Sequence, residues 1–285
     1  MCYDLRHMTP GSIVLDIDGT ITHGVAPLGQ KSVEFFSMLH AKGWSFLFVT
    51  GRAFSFAQRT LEGLPFPYIL ALQHGADILL MPEEKLLDQK YLSGETITSI
   101  ESAYEGENED FLIYSGVKEG DFCYYRPEKF SPLLQAYLQK VMKVSNKPWR
   151  PLPHFKDLFD LHFPLIKCIG EKGSILRIEE RLKTLSAFEM VSIQDPLNKA
   201  LYLLLITHKE ASKGAALQRI FAKFSPKGPL IVAGDDYNDA SMLDLADIKI
   251  VIETAPRDLQ QKADIIARSP KDEGIIDALQ QAIFS

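Results

Sequence analysis

Residues 10–20 read Pro-Gly-Ser-Ile-Val-Leu-Asp-Ile-Asp-Gly-Thr, and few folds accommodate such a stretch. Residues 12–15 form a short apolar run with β-branched members, the pattern of a strand buried on both faces. The run ends at Asp16 and Asp18, then Gly19-Thr20, residue types that stop a strand and turn the chain. Two carboxylates at the mouth of a buried strand repel each other and resist desolvation, so something must compensate them. A hard divalent cation such as Mg²⁺ suits that role, because it takes oxygen ligands and keeps water that a phosphate can displace.

The next segments repeat the pattern. Residues 32–41 carry Val33, Phe36 and Leu39 at near-helical spacing and stop at Gly43, a C-cap signal. Residues 44–49 (WSFLFV) are a second buried-strand candidate, ending in Thr50-Gly51-Arg52. A helix over 53–64 and a strand over 68–72 follow. Strands alternating with helices at this spacing predict parallel strands joined by right-handed crossovers. In such sheets ligands bind beyond the carboxyl ends of the strands, where Asp16, Asp18 and Thr50 all fall.

From about residue 78 the rhythm changes. Residues 78–80 and 85–90 flank Pro82-Glu83-Glu84 as a hairpin would, and 93–110 holds a modest helical pattern closing in a solvated loop at 105–110. Strand-like runs at 111–117 and 122–126 predict an antiparallel pair around Gly120. A helix over 131–144 has Ser131 as N-cap and Pro132 in its first turn. A strand at 165–169, a helix at 174–185 and strands at 188–193 and 201–206 complete an α+β unit. The aromatic run Phe122, Tyr124 and Tyr125 reads as core and sheet surface of this unit. The parallel pattern resumes with a helix that Glu210-Ala-Ser-Lys213-Gly opens and that runs to about 224, and a strand at 229–233. That strand ends in Gly234-Asp235-Asp236-Tyr237-Asn238-Asp239, with further elements at 240–245, 248–252 and 274–283. The predicted fold is α/β: a parallel-sheet core at 1–79 and 208–285, with an α+β domain at 80–207 inserted between its parts.

At 285 residues the chain is long enough for two domains. A net charge of −6 argues against a nucleic-acid-binding face, which needs clustered Lys and Arg. Cys2, Cys123 and Cys168 are scattered without metal-like spacing and fit a reducing compartment. Residues 1–8 lack the apolar core of a signal peptide, and the longest apolar run, 201–206, is too short to span a bilayer. No membrane role and a cytoplasmic location are therefore expected. Monomer and dimer both remain open.

Four polar clusters thus sit at strand ends or helix starts: Asp16/Asp18, Thr50, Lys213 and Asp235/Asn238/Asp239. Phosphoryl transfer to a carboxylate needs an anionic nucleophile, a cation that offsets charge, donors for the phosphoryl oxygens and an acid for the leaving oxygen. The set supplies each part. One aspartate attacks phosphorus, its neighbour two residues on protonates the leaving alkoxide, Asp235 completes a metal site, and Thr50 and Lys213 hold the phosphoryl group.

On these motifs the sequence resembles the haloacid dehalogenase-like superfamily, in particular its Cof-type phosphatases with a large α/β cap (subclass IIB). Asp-Ile-Asp-Gly-Thr at 16–20 matches the first motif, Val-Thr-Gly-Arg at 49–52 the second, Ser-Lys-Gly at 212–214 the third and Gly-Asp-Asp-Tyr-Asn-Asp at 234–239 the fourth. The resemblance implies that Asp16 becomes an aspartyl-phosphate and that Asp18 is the general acid and base. It implies that Thr50, Gly51, Lys213 and Asn238 surround the phosphate, and that Mg²⁺ is held by Asp16, the carbonyl of Asp18, and Asp235. Asn238 and Asp239 then orient Lys213 and the metal ligands. Two departures lie near the implied substrate pocket. His74-Gly75 stands where many relatives have Asn-Gly, and Glu253-Thr254-Ala255 where many have Gly-Asn-Ala. Arg52 either binds substrate or pairs with an acid, and His74 either touches substrate or is a hydrogen-bonded structural residue. Asp236 reads as a solvated neighbour of the site.

The expected function is Mg²⁺-dependent hydrolysis of a small phosphorylated metabolite, a sugar phosphate or a phosphorylated cofactor. The alternatives are a phosphosugar mutase of the same superfamily and a non-catalytic protein that binds a phosphorylated ligand.

Overall fold

The computed structural model of the chain describes residues 10–24, 26–145, 149–185, 188–195 and 197–284. From its amino end the chain forms β1 (Ser12–Leu15), α1 (Gln30–Ala41), β2 (Ser45–Val49), α2 (Phe54–Leu61), β3 (Tyr68–Leu72), β4 (Asp77–Met81) and β5 (Lys85–Gln89). It continues through β6 (Leu92–Ser93), α3 (Thr96–Ala103), β7 (Phe111–Tyr114), β8 (Cys123–Tyr125), α4 (Pro132–Ser145), β9 (Trp149–Pro151) and β10 (His162–Phe163). Next come β11 (Leu165–Gly170), α5 (Lys172–Leu182), β12 (Phe188–Gln194) and β13 (Tyr202–His208). The last part holds α6 (Lys213–Phe224), β14 (Leu230–Gly234), α7 (Ala240–Leu243), β15 (Ile248–Ile252), α8 (Arg257–Gln260), β16 (Ile265–Ala267) and α9 (Gly274–Phe284).

Two compact units emerge, one from the segments ending at Asp88 and starting at Ser212, the other from Gln89 to Ala211. The first contains an eight-stranded sheet in the order β16-β15-β14-β1-β2-β3-β4-β5. Strands β16 to β3 run parallel, and β4 pairs antiparallel with β3. Every residue of β1 is buried, as expected for a central strand covered on both faces. The boundary expected after residue 79 falls inside β4. The β4–β5 hairpin extends the sheet of the first unit, so the units divide at 88/89 and 211/212 and not at 79/80 and 207/208.

The chain leaves β1 toward β2 and β3 on one side and returns through β14, β15 and β16 on the other. The strand order therefore reverses between β1 and β14, and the crevice at their carboxyl ends is where such sheets bind ligands. The register sets Leu15 beside Ala233, and the Asp16 N–H donates to the Ala233 carbonyl at 3.1 Å. Asp16 and the Gly234-Asp235 turn are thus neighbours by strand pairing alone.

The second unit is a six-stranded sheet, β12-β13-β11-β7-β8-β9, antiparallel except between β8 and β9. Alternate residues of β11 face opposite sides. Ile166 and Cys168 pack with Ile97 and Ile100 of α3 and Ile175 and Ile178 of α5, while Leu165 and Ile169 pack with Leu134 and Leu138 of α4. Phe122 is buried, and Tyr124 and Tyr125 join the two opposite faces. The loop at 105–110 is not simply solvated. Asp110 is buried against Arg126, the Glu107 side chain pairs with Arg177, and Glu109 accepts from the Ser131 N–H and hydroxyl. Its acids fix the loop to α4 and α5. Cys123 and Cys168 are buried free thiols, whereas Cys2 and the rest of 1–8 lie outside the described residues.

Candidate active site

Each part of the site is delivered by the end of a strand or the start of a helix in the first unit. The β1 strand hands Asp16 directly into the crevice, only 2% exposed. Ser212 caps α6 by accepting from the Ala215 N–H at 3.2 Å, and this fixes Lys213 as the first helical residue. Lys213 is buried to the same degree as Asp16. Its Nζ lies 2.6 Å from Asp16 Oδ1 and 2.5 Å from Asp239 Oδ1. The other oxygen of Asp239 accepts from the N–H groups of Asp235 and Asp236, at 2.9 and 3.2 Å. Asp239 is therefore an anchor that holds both the lysine and the turn after β14.

Asp235 has a weaker set of partners. Its Oδ1 accepts from the Thr20 hydroxyl at 3.3 Å, a contact that sequence reasoning missed although Thr20 lies inside the first motif. Gly19 has φ +79°, and a Cβ there would fall 2.0 Å from Asp235 Oδ2, so the approach of the two turns requires glycine. Asp16, Asp235 and Asp239 place ligand oxygens within 4.8 Å of one another. With Asp239 engaged by Lys213 and two N–H groups, Asp16 and Asp235 remain as the side chains suited to a hard cation.

Electrostatics support that fit. Burial pushes the Asp16 carboxyl well above the usual range, against the pull of Lys213, and Asp239, Asp235 and Asp18 push the same way. Asp235 is pushed up to about 7, first by burial and then by Asp239. Burial lowers the Lys213 ammonium pKa, but Asp16 and Asp239 outweigh it and the net shift is upward. Three clustered carboxylates share one lysine, and an all-oxygen set with surplus negative charge matches Mg²⁺ better than a soft metal. Among the described residues, the buried Asn238 Oδ1 also has no hydrogen-bond partner. It is Asp239, not Asn238, that binds Lys213.

Thr50 is fully buried at the end of β2, and its Oγ1 accepts from the Arg52 N–H at 3.1 Å. Gly51 lets the turn approach His74, since a Cβ there would lie 2.8 Å from His74 Nε2. His74 is buried, has φ +60° and donates its backbone N–H to the Thr50 carbonyl at 2.9 Å. Gln73, with φ +47°, donates likewise to the Arg52 carbonyl at 3.0 Å. The two strained residues thus bolt the turn after β3 to the turn after β2.

The Asp18 side chain is 56% exposed. Both its oxygens accept from Arg52, at 2.8 Å from Nε and 2.6 Å from Nη2. Of the two readings open for Arg52, the geometry favours pairing with an acid. This bidentate contact joins residues 34 apart in sequence and depends on how α2 is seated, which no local pattern in the sequence reports.

Comparison with known proteins identifies the family and the fold. The model of the haloacid dehalogenase-like hydrolase family matches residues 13–279. Phosphatase YwpJ of Bacillus subtilis is 20% identical over 95% of this chain and 99% of its own length. The 5-amino-6-(5-phospho-D-ribitylamino)uracil phosphatase YwtE of the same organism is 21% identical over 95% of this chain and 97% of its own. A haloacid dehalogenase-like hydrolase from Bacteroides thetaiotaomicron superposes with a TM-score of 0.78 at 18% identity, over 96% of this chain and 100% of its own. A sugar phosphatase of subclass IIB superposes with a TM-score of 0.73 at 17% identity, over 96% and 99%. With the family model spanning the paired strand ends and both halves of the sheet, the chain belongs to the haloacid dehalogenase-like hydrolases.

Proposed function

We infer that this chain is a phosphatase that cleaves a small phosphorylated metabolite through an aspartyl-phosphate on Asp16. The observation that carries the reading is the buried ion cluster, in which Lys213 bridges Asp16 and Asp239 while Asp235 stands beside them. A buried lysine held 2.6 Å from one carboxylate oxygen fixes the Asp16 carboxylate and leaves its second oxygen for attack. The names of YwpJ and YwtE as phosphatases support hydrolysis over transfer to a second sugar.

In this mechanism the free oxygen of Asp16 attacks phosphorus and the bond from phosphorus to the substrate oxygen breaks. Asp18 gives its proton to that departing oxygen. Asp18 then takes a proton from water as the water oxygen bonds to phosphorus. The bond between phosphorus and Asp16 breaks, inorganic phosphate leaves, and both aspartates are restored. Thr50 and Lys213 would act as donors to the phosphoryl oxygens. Mg²⁺ held by Asp16, Asp235 and the Asp18 carbonyl would supply charge for the phosphoryl oxygens when bound. The inserted α+β unit would act as the cap that excludes water and selects the substrate, and a cytoplasmic location accords with the thiols.

Hydrolysis of p-nitrophenyl phosphate tests the reading. Wild-type protein should release nitrophenolate with Mg²⁺ and stop in EDTA, and Asp16→Asn should lose turnover by about 10³-fold or more while remaining folded. Full activity of folded Asp16→Asn protein would remove Asp16 from the role. A panel of sugar phosphates and phosphorylated cofactors then identifies the substrate by phosphate release.

A further inference from the structure

Arg52 has five N–H donors, and each one meets an acceptor in the first unit. Nε and one Nη2 donor hold the two oxygens of Asp18. The other Nη2 donor reaches the Gly24 carbonyl at 2.6 Å. On the opposite edge, Nη1 donates to the Thr60 hydroxyl at 2.6 Å and to the Phe56 carbonyl at 3.3 Å. No N–H remains for a substrate oxygen, and the side chain is only 8% exposed. Its partners show what it does instead: it ties the acidic turn after β1 to both turns of α2.

Thr60 is the firmest of the anchors on α2. It is fully buried, and its own carbonyl accepts from the Leu28 N–H at 3.0 Å, so Gly24 and Leu28 are both held by this part of the molecule. A guanidinium is planar and rigid, so gripping one edge sets the direction of the other. Without the Thr60 hydroxyl, Nη1 would keep only the longer contact to Phe56, and the fork offered to Asp18 would be free to tilt.

We propose that Thr60 is a positioning residue for the general acid, acting through Arg52, whose far edge fixes the carboxyl group of Asp18. The proposal rests on the assignment of Asp18 as the group that protonates the leaving oxygen. It concerns where that carboxyl group sits, and a misplacement of about 1 Å at a reacting group can cost about 10²-fold in rate. It also assigns Arg52 to the acid and not to the substrate.

Two aryl phosphates of nearly equal shape separate positioning from general damage. Phenolate is a poor leaving group, with a parent acid near that of tyrosine at about 10, and needs a proton more than p-nitrophenolate does. kcat/KM covers the steps through phosphorylation of Asp16 and so isolates leaving-group protonation from the later attack of water. Thr60→Val should lower kcat/KM for phenyl phosphate about tenfold and for p-nitrophenyl phosphate less than about twofold. Arg52→Lys should show a larger split, and Thr60→Ser, which keeps the hydroxyl, should track the parent on both substrates. Asp18→Asn gives the reference split. If Asp18→Asn discriminates between the substrates while Thr60→Val and Arg52→Lys lose both equally or neither, the relay is wrong and the acid assignment stands. If Asp18→Asn itself fails to discriminate, the acid assignment falls and the relay with it. Equal losses for Thr60→Ser and Thr60→Val would likewise overturn the hydroxyl's role.

Discussion

In the second unit Arg126 lies over the ring of Phe155, 4.1 Å from its centre, with Nε and Nη2 on the two oxygens of Asp110 at 2.8 and 2.7 Å and Nη1 on Glu101. In the first unit Lys213 reaches one oxygen each of Asp16 and Asp239. Lys213 is buried and Arg126 largely so, each among acids, but the outcomes differ. The planar guanidinium satisfies Asp110 completely, and Glu101 keeps access to water. The lysine is a point charge that cannot bond three carboxylates, so Asp235 is left with a 3.3 Å hydroxyl, and burial and then Asp239 push it up to about 7 against the pull of Lys213. A closed cluster of this kind holds a unit together, whereas an unbalanced one is poised to take a divalent cation and a phosphoryl group.

Removing the central cation from each cluster should break the comparison most sharply. Lys213→Met leaves Asp16 and Asp239 buried without their partner, and losing one side of a buried pair typically costs about 3–5 kcal/mol. Urea unfolding should register that loss, and turnover should vanish even in protein kept folded. Arg126→Ala should cost a similar amount, because Asp110 is equally buried. Replacing Arg126 by Met and Asp110 by Leu together should recover most of that stability, since well-packed apolar groups often substitute for a buried ion pair. The Mg²⁺ concentration giving half-maximal activity should stay unchanged in that double variant. A matching shift in Mg²⁺ dependence would show that the two clusters are not independent.

A smaller effect comes from pH. Asp235 has a folded pKa raised from an ordinary 3.8 to about 7, so it favours the folded state fully below pH 4 and loses that contribution as pH rises through 7. In EDTA, the melting temperature of the wild type should therefore fall between pH 5 and pH 8 by a few degrees more than that of Asp235→Asn, at about 2–4 °C per kcal/mol. Mg²⁺ should restore it, and more at pH 8 than at pH 5, because the cation binds the ionised form. Parallel curves for the two proteins would mean that Asp235 does not carry the imbalance.

The contrast also marks what was legible in the sequence. Asp16 and Asp235 could be placed because each follows a buried strand, and strand order alone then brings them together; Lys213 was legible only from its place among the four motifs. The same reasoning placed the parallel sheet and the inserted unit. The short strands β6, β9, β10 and β16 were not legible, because two or three residues carry no periodicity. Nor was the Arg126 cluster, since Asp110 sat in an acidic stretch that looked solvated until α4 and α5 closed over it. Thr60 was invisible for a related reason: a threonine on a helix shows its role only when a guanidinium arrives from eight residues away.

The central claim is that Asp16 carries the phosphoryl group. Acid quenching of the working enzyme, borohydride reduction and peptide mass spectrometry test it most directly, because an acyl phosphate on an aspartate is reduced to homoserine. The account predicts homoserine at position 16 in protein quenched during turnover, and none in protein held without substrate. Turnover with an intact Asp16, or with the label at another residue, would contradict it.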